Sequence, residues 1–298
     1  MQRRKFLQSS ALAFGAFTLN RQNIFKAFSD DPWKITMLTN DIGIFTERGG
    51  TIAFHSSTEG LTVVDAQFPD TATHLIEELK KRKEQPFRLL INTHHHGDHT
   101  AGNISFKDFT SRVLAHENSL KNQQNVAATQ KTEDKQYYPN QTFGTVWEER
   151  AGKEKIVLHY YGAGHTNGDA LIHFQHADVV HIGDLVFNRR HPFVDRSAGA
   201  NMQSWMLVLE AAMKKFSAKT KYVFGHSGSG YEVTGSRSDL QAFHDYLGNV
   251  LKYTGDEIKA GKSKEEILKA TAIPGSPQWT GDGIERPLGA AYDELTAS

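Results

Sequence analysis

Four short apolar runs in this 298-residue chain end directly in a polar side chain that can bind a metal or anchor a loop. The runs have the length and composition of buried β-strands. In open α/β sheets, sites form beyond the carboxyl ends of strands. We therefore expect the polar ends to meet on one rim of a sheet. The four segments are Val63-Val64-Asp65, Ile91-Asn92-Thr93-His94, Ile182-Gly183-Asp184 and Phe224-Gly225-His226.

Helical patterns separate some of the strands. Residues 70–84 place Leu75, Ile76 and Leu79 on one face, and residues 201–216 repeat this amphipathic spacing. Strands that alternate with helices predict an α/β layered fold. The other runs that we interpret as strands are residues 52–54, 112–114, 156–158 and 170–172.

Two regions depart from this alternation. Residues 122–153 are polar and weakly periodic, which predicts a long excursion, either a flap or an insertion over a site. Residues 238–258 and 263–270 have helical patterns, and a break at 274–277 precedes a last short segment. The C-terminal helices could cap a pocket or build a homodimer.

Composition restricts the kinds of site that the chain can build. Hydrophobic residues make up 38% and charged residues 23%, which is typical of a soluble globular protein. No apolar stretch reaches the length of an ordinary transmembrane helix. The chain has no cysteine, which excludes disulfides, thiolate metal ligands and a cysteine nucleophile. Histidine, with 15 copies, and the carboxylates remain as metal ligands.

The first residues resemble a twin-arginine export signal. Arg3-Arg4 precede Phe6-Leu7, and the apolar stretch 11–19 is too short to span a bilayer. Small residues at 27 and 29 predict cleavage after Ser29 and a periplasmic or secreted protein. The alternative is a basic helix start on a cytosolic protein.

The charge balance indicates which kinds of partner the chain can bind. Residues 1–29 hold five bases and no acid, so the rest of the chain carries 29 bases against 34 acids, a net charge of −5. This leaves no basic excess for a nucleic acid backbone. The sequence also has no basic amphipathic helix that would indicate membrane binding. We therefore expect a small-molecule substrate.

The most specific motif is residues 93–99, Thr-His-His-His-Gly-Asp-His. Residues two apart in an extended segment face the same side, so His94 and His96 reach one metal while His95 points away. Gly97 permits a sharp turn, after which Asp98 and His99 project from a helix start toward a second metal. Four nitrogen and oxygen ligands suit zinc, and they are also compatible with iron or manganese.

This His-x-His-x-Asp-His motif resembles the defining motif of the metallo-β-lactamase superfamily. The resemblance extends over residues 35–230 and implies a four-layer αββα sandwich of two mixed β-sheets, with metals at one edge. Together with the predicted export signal, it divides the chain into a signal (1–29), a catalytic domain (30–235) and a C-terminal helical extension (236–298). The later motif members, which match in order, are His165, Asp184 and His226, with Asp65 as a buried brace of the metal loop.

The resemblance also implies a site with two Zn²⁺ per chain. The first metal takes His94, His96 and His165; the second takes Asp98, His99 and His226; Asp184 bridges them. A hydroxide shared by the metals then attacks an acyl carbon or another electrophile, with Asp98 as the catalytic residue that orients it.

The resemblance leaves the substrate open. The cysteine-containing lactamases have a lysine where Phe187 stands, and Asn188, Arg189 or Arg190 are candidates to replace it. With an aspartate at position 184, the chain resembles the glyoxalase II, lactonase and arylsulfatase-like branches of the superfamily more than the cysteine-containing lactamases. We therefore expect hydrolysis of an ester, thioester, lactone or β-lactam.

Other classes of function are alternatives. One is an iron-dependent oxidoreductase of the persulfide dioxygenase kind, and another is a non-catalytic binding protein with the same fold. A serine triad is disfavoured because residues 225–229 lack the last glycine of Gly-x-Ser-x-Gly.

Overall fold

The computed structural model describes residues 32–82 and 84–297. The predicted export signal, residues 1–29, lies outside these residues. No helix in the described part of the chain is long and apolar enough to cross a membrane.

The first sheet has seven strands that follow one another in chain order. Neighbours are antiparallel from the first to the fourth strand and parallel from the fourth to the seventh, so the sheet is mixed. The strands are β1 (Lys34–Met37), β2 (Ile42–Thr46), β3 (Ile52–Ser57), β4 (Gly60–Val64), β5 (Phe87–Ile91), β6 (Val113–His116) and β7 (Gln141–Phe143).

The second sheet has six strands in the order β13-β12-β11-β10-β9-β8. Only β11 and β12 are parallel to each other, which makes this sheet mixed as well. The strands are β8 (Val146–Ala151), β9 (Glu154–His159), β10 (Leu171–Phe174), β11 (Val179–Asn188), β12 (Lys221–Ser227) and β13 (Thr234–Gly235).

Helices cover the sheets. The helices are α1 (Pro69–Arg82), α2 (Gly97–Thr100), α3 (Glu117–Gln130), α4 (Met202–Lys215), α5 (Arg237–Lys259), α6 (Lys264–Ile267) and α7 (Glu285–Thr296). The amphipathic pattern of α1 buries Leu75, Ile76 and Leu79 as predicted. Asn201 caps α4, where its side-chain oxygen accepts a hydrogen bond from the Ser204 amide.

Three apolar clusters define the layers. Residues of both sheets, such as Ile91 and Leu158, share the cluster between them. Leu75 of α1 packs on the outer face of the first sheet. Trp205 of α4 and Phe243 of α5 pack in one cluster with strands of the second sheet. This arrangement is the predicted α/β sandwich with four αββα layers, and the prediction is confirmed.

The C-terminal helices contribute to the same core. Leu240, Leu247 and Leu288 are fully buried in the cluster that also contains Trp205. The segment after 277, predicted only as a short piece, includes the 12-residue helix α7. A domain boundary at 235 and a homodimer stay predictions.

The prediction of a long excursion at residues 122–153 is wrong. The segment contains most of α3 and the strands β7 and β8. The buried face of α3 holds Ser119, Gln123 and Ala127, so it lacks the apolar spacing that indicates a helix. In β8, an edge strand, exposed residues alternate with half-buried ones, so a buried apolar run is missing.

Candidate metal centre

The histidine-rich segment connects β5 to the short helix α2. His96 has an extended backbone, with φ of −65° and ψ of 148°, and α2 begins at Gly97. Nε2 of His94 lies 3.0 Å from Nδ1 of His96, which lies 2.8 Å from Nε2 of His165. Three ring nitrogens therefore converge on one point, as the motif spacing predicts for His94 and His96 and as the family resemblance implies for His165.

Asp184 lies between this group of histidines and a second group of side chains. Its Oδ2 is 3.5 Å from Nε2 of His165 and 3.4 Å from Nε2 of His226. Its Oδ1 is 3.1 Å from Nε2 of His99. A single buried carboxylate thus faces both groups.

The second group consists of Asp98, His99 and His226. Oδ2 of Asp98 is 3.0 Å from Nε2 of His226 and 3.8 Å from Nε2 of His99. The ligand atoms of this group lie within 4.8 Å of one another, and the same holds for His94, His96, His165 and Asp184. All seven predicted ligands therefore meet on one rim, and their assignment to metals stays a prediction.

Two of the four polar residues that follow the apolar runs do not lie at the end of a strand. Strand β11 continues past Asp184 to Asn188, and β12 continues past His226 to Ser227. The pairing of β11 with β12 changes register at Gly183 and again before Phe187. This irregular pairing, rather than a strand end, turns Asp184 toward the rim.

Glycine is required where backbone approaches the ligands. A Cβ at Gly225 would overlap Oδ1 of Asp184, and a Cβ at Gly50 would overlap the His99 imidazole. The amide of Thr51 donates a hydrogen bond of 2.9 Å to the Gly225 carbonyl. The first and second sheets are therefore in direct contact at the rim.

Asp65 braces the histidine segment through hydrogen bonds, as predicted. The fully buried carboxylate accepts hydrogen bonds from the Thr93 amide at 2.7 Å and the Thr93 hydroxyl at 2.8 Å. Its Oδ2 also lies 2.8 Å from Nδ1 of His99. With Nδ1 engaged, only Nε2 of His99 is available to the metal group.

Asp195 has a role that sequence reasoning missed. Its Oδ2 is 2.9 Å from Nε2 of His96 and 3.4 Å from Nε2 of His95, which is not among the seven predicted ligands. Although burial opposes ionisation, hydrogen bonds from His95, His96 and Ser197 lower the pKa of Asp195 far below its ordinary value. No motif surrounds Asp195, so only the folded chain relates it to His96.

The first group is suited to donate lone pairs. Burial lowers the pKa of His165 to about 3, and that of His94 falls well below its ordinary value for the same reason. Both imidazoles are therefore neutral at pH 7. Neutral imidazole is the form that binds a metal.

In the second group, imidazoles and carboxylates balance one another's charge. Although burial opposes its protonation, the Asp184 and Asp98 carboxylates raise the pKa of His226 to about 9. Burial favours the neutral form of Asp98, but the neighbouring His99 and His226 lower the pKa of Asp98 to about 2. A divalent cation supplies the same positive charge and displaces such protons.

Nε2 of His99 and Oδ1 of Asp184 lie 3.1 Å apart at the centre of the cluster, but they form no hydrogen bond with each other, so neither buried atom has a hydrogen-bond partner. Unsatisfied buried polar atoms are costly, and a bound cation would satisfy both. The donor set, nitrogen and carboxylate oxygen without sulfur, fits zinc, iron or manganese.

The cluster opens into a cavity of about 340 Å³. Phe187, which stacks on the His226 ring with centroids 5.4 Å apart, and the half-exposed Phe193 form apolar walls. Its other lining side chains are polar or charged, namely His96, Asp98, His165, Asp184, Arg190, His191, His226 and Arg286. The cavity can therefore hold a small molecule directly beside the predicted ligands.

Comparison with curated proteins gives distant relatives. The chain is 25% identical over 209 residues to "Metallo-beta-lactamase type 2" of Bacillus cereus, which covers 66% of this chain and 77% of the relative. It is 26% identical over 156 residues to "Metallo-beta-lactamase IND-1" of Chryseobacterium indologenes, which covers 51% of this chain and 60% of the relative.

Solved structures show the same fold at lower identity. The metallo-beta-lactamase from Pontibacter korlensis has a TM-score of 0.61 and 20% identity, over 73% of this chain and 99% of that one. A double mutant of the sec-alkyl sulfatase PisA1 has a TM-score of 0.68 and 14% identity, over 88% of this chain and 50% of that one.

The family model described as the metallo-beta-lactamase superfamily matches residues 50–226. This span exceeds half of the chain and contains the whole histidine motif and all seven predicted ligands. The chain belongs to the metallo-beta-lactamase superfamily.

Proposed function

We propose that this protein is a metal-dependent hydrolase with two zinc ions, which cleaves an ester, thioester, lactone or β-lactam bond in a small molecule. The observation that carries the proposal is the position of the Asp184 carboxylate, within 3.5 Å of ring nitrogens from both ligand groups. A carboxylate shared in this way suits a two-metal site. The curated lactamase relatives support the hydrolytic reaction class.

The chain's own residues would act on the substrate as follows. Asp98 lies at the cavity, with its side chain about one-third exposed, where its carboxylate can accept a hydrogen bond from the attacking water. Phe187 and Phe193 exclude bulk water from the apolar part of the substrate. Bound zinc supplies Lewis acidity, which lowers the pKa of water to about 7 and polarises a carbonyl group.

The test combines metal analysis with a substrate panel. Protein purified without added metal should contain about two zinc ions per chain, and it should hydrolyse at least one of nitrocefin, a lactone, a thioester and an aryl ester. The D98A and H96A variants should lose this turnover while the wild-type fold persists by circular dichroism. A wild-type protein with two zinc ions and no turnover of any substrate would refute the proposal.

An iron-dependent oxidation is the alternative that metal analysis separates. A mononuclear iron enzyme would leave one group of ligands idle. The convergence of Asp98, His99 and His226 with Asp184 therefore favours the two-metal proposal. One iron per chain would favour oxidation.

We also propose that the protein is exported by the twin-arginine route and acts in the periplasm or outside the cell, because Arg3-Arg4 precede a short apolar stretch. The R3K/R4K double variant should accumulate in the cytoplasm with its first 29 residues attached. Cell fractionation and mass spectrometry of the N-terminus measure this. Equal export of both proteins would contradict it.

A further inference from the structure

The charged residues of the cavity outside the predicted ligands are all of one sign. Among its lining side chains, these residues are Arg190 and Arg286. This excess is local, because residues 30–298 carry a net charge of −5. Two cationic side chains that line one cavity of an otherwise acidic protein favour an anionic ligand.

Neighbouring arginines in the same loop have different environments. Arg189 donates hydrogen bonds to Asp239 at 3.0 Å and Gln278 at 2.8 Å, and its guanidinium lies over the Trp279 ring. Arg190 makes no ion pair among the described residues and is exposed at the cavity. Arg189 therefore attaches the loop to the C-terminal extension, while Arg190 is available to a ligand.

Arg286 comes from a part of the chain that the family model does not match. It lies in the first turn of α7, where its Nε is 3.9 Å from Glu285 and its side chain is 56% exposed. The rest of α7 is fixed, because Pro287 and Leu288 are buried and the Glu294 carboxylate accepts a hydrogen bond from the Met202 amide. The helix thus holds Arg286 at the cavity.

His191 adds a hydrogen-bonding group to the lining of the same cavity. Its Nδ1 is 2.8 Å from the hydroxyl of Tyr246 in α5, and this contact fixes the orientation of the ring. The ring lines the cavity although the residue is 4% exposed. A buried imidazole held in this way can bind a polar group of the substrate through its other nitrogen.

We propose that Arg190, His191 and Arg286 form an anion-binding subsite, so that the substrate carries a carboxylate, sulfate or phosphate group in addition to the bond that is cleaved. The inference rests on the proposed hydrolytic function. It assigns part of substrate selection to the C-terminal extension, because α7 supplies Arg286 and α5 orients His191. Arginine suits this role because its planar guanidinium binds planar and tetrahedral anions through two hydrogen bonds.

A matched pair of substrates tests the proposal. The two compounds are 4-nitrophenyl 4-carboxybenzoate and its uncharged analogue 4-nitrophenyl 4-carbamoylbenzoate, which have the same scissile ester and nearly the same shape. The zinc-loaded wild type should have a kcat/KM at least about tenfold higher for the carboxylate. Added NaCl should reduce this preference, because salt screens the attraction.

Three variants locate the preference. R286Q and R190Q should each lower the ratio of kcat/KM for the carboxylate to kcat/KM for the carboxamide about tenfold. R150Q is the control. Arg150 is an exposed arginine near the end of β8. Its backbone is paired with that of Lys155, at the end of β9 that lies farther along the chain from His165. Equal rates on both substrates in the wild type, or equal effects of R286Q and R150Q, would overturn the proposal.

A binding measurement separates this proposal from the hydrolytic one. Isothermal titration calorimetry compares terephthalate with 4-carbamoylbenzoate on zinc-loaded protein. Terephthalate should bind about tenfold more tightly to the wild type, and R286Q should abolish the difference. If neither ester is cleaved but this difference holds, the anion subsite stands and ester hydrolysis fails. If the esters are cleaved without a difference in binding, the subsite fails.

Discussion

Single residues at the rim explain why the ligands can meet. The Gly225 backbone touches the Asp184 carboxylate, and Asp65 holds His99 through Nδ1. The sequence predicted the seven ligands and Asp65 because they lie in a recognisable order. It could not predict Asp195, since a lone aspartate 99 residues from His96 has no local pattern that relates the two.

Substitution of Gly225 tests the close approach at the rim. In G225A the new methyl group would overlap Oδ1 of Asp184 and displace it from both ligand groups. We expect a loss of about 1–3 kcal/mol in the unfolding free energy of the metal-free protein and less than two bound zinc ions per chain. Urea denaturation and elemental analysis measure these quantities.

G144A is the matched control for this prediction. A Cβ at Gly144 meets no atom within 4 Å, so the variant should retain the stability and the zinc content of the wild type. If G225A and G144A behave alike, the overlap at the rim has no energetic consequence.

At the scale of elements, the sequence predicted the strands that are buried and apolar and the helices that have one apolar face. The predicted strands 52–54 and 156–158 lie within β3 and β9, and the predicted helix at 238–258 corresponds to α5. It missed α3 and β8 because their buried faces are polar or sparse, and packing rather than local pattern determines them.

Helix α7, the last helix in the described part of the chain, stabilises the start of α4. The Glu294 carboxylate, 5% exposed, accepts hydrogen bonds from the first amides of α4, Met202 at 2.8 Å and Gln203 at 3.1 Å. It also lies 3.5 Å from the Arg196 guanidinium. One helix therefore caps another across about 90 residues.

Removal of this cap should destabilise the protein. E294A leaves two amides of α4 without their acceptor, and we expect a decrease of about 1–2 kcal/mol in the free energy of unfolding. The change is measured as a lower urea midpoint. D282A, an exposed aspartate of the same C-terminal region without a hydrogen bond or ion pair among the described residues, should leave the midpoint unchanged. Equal midpoints for E294A and the wild type would show that the cap is dispensable.

At the scale of the whole molecule, the predicted ligands join separate parts of the fold. His94 and His96 follow β5 of the first sheet, whereas Asp184 and His226 belong to β11 and β12 of the second. Two metals that share Asp184, as proposed, would link the two sheets at the rim. Their binding energy therefore contributes to the stability of the whole sandwich.

Metal removal should accordingly lower the melting temperature. At a free zinc concentration one hundred times the Kd, binding stabilises the native state by about 2.7 kcal/mol, or roughly 5–10 °C for a domain of this size. Differential scanning calorimetry with and without EDTA measures the shift, and added zinc should reverse it. D184N should respond much less to both treatments. A wild-type melting temperature that does not change with EDTA would contradict this prediction.

The shared carboxylate has a consequence for how the centre is loaded. In the proposed two-metal centre, Asp184 would offer a single negative charge to both positions, so the cation that arrives first would take part of that charge away from the other position. The two positions should then fill with unequal affinities, the second more weakly than an isolated copy of its ligands would bind. At limiting zinc, half-loaded molecules should outnumber fully loaded ones.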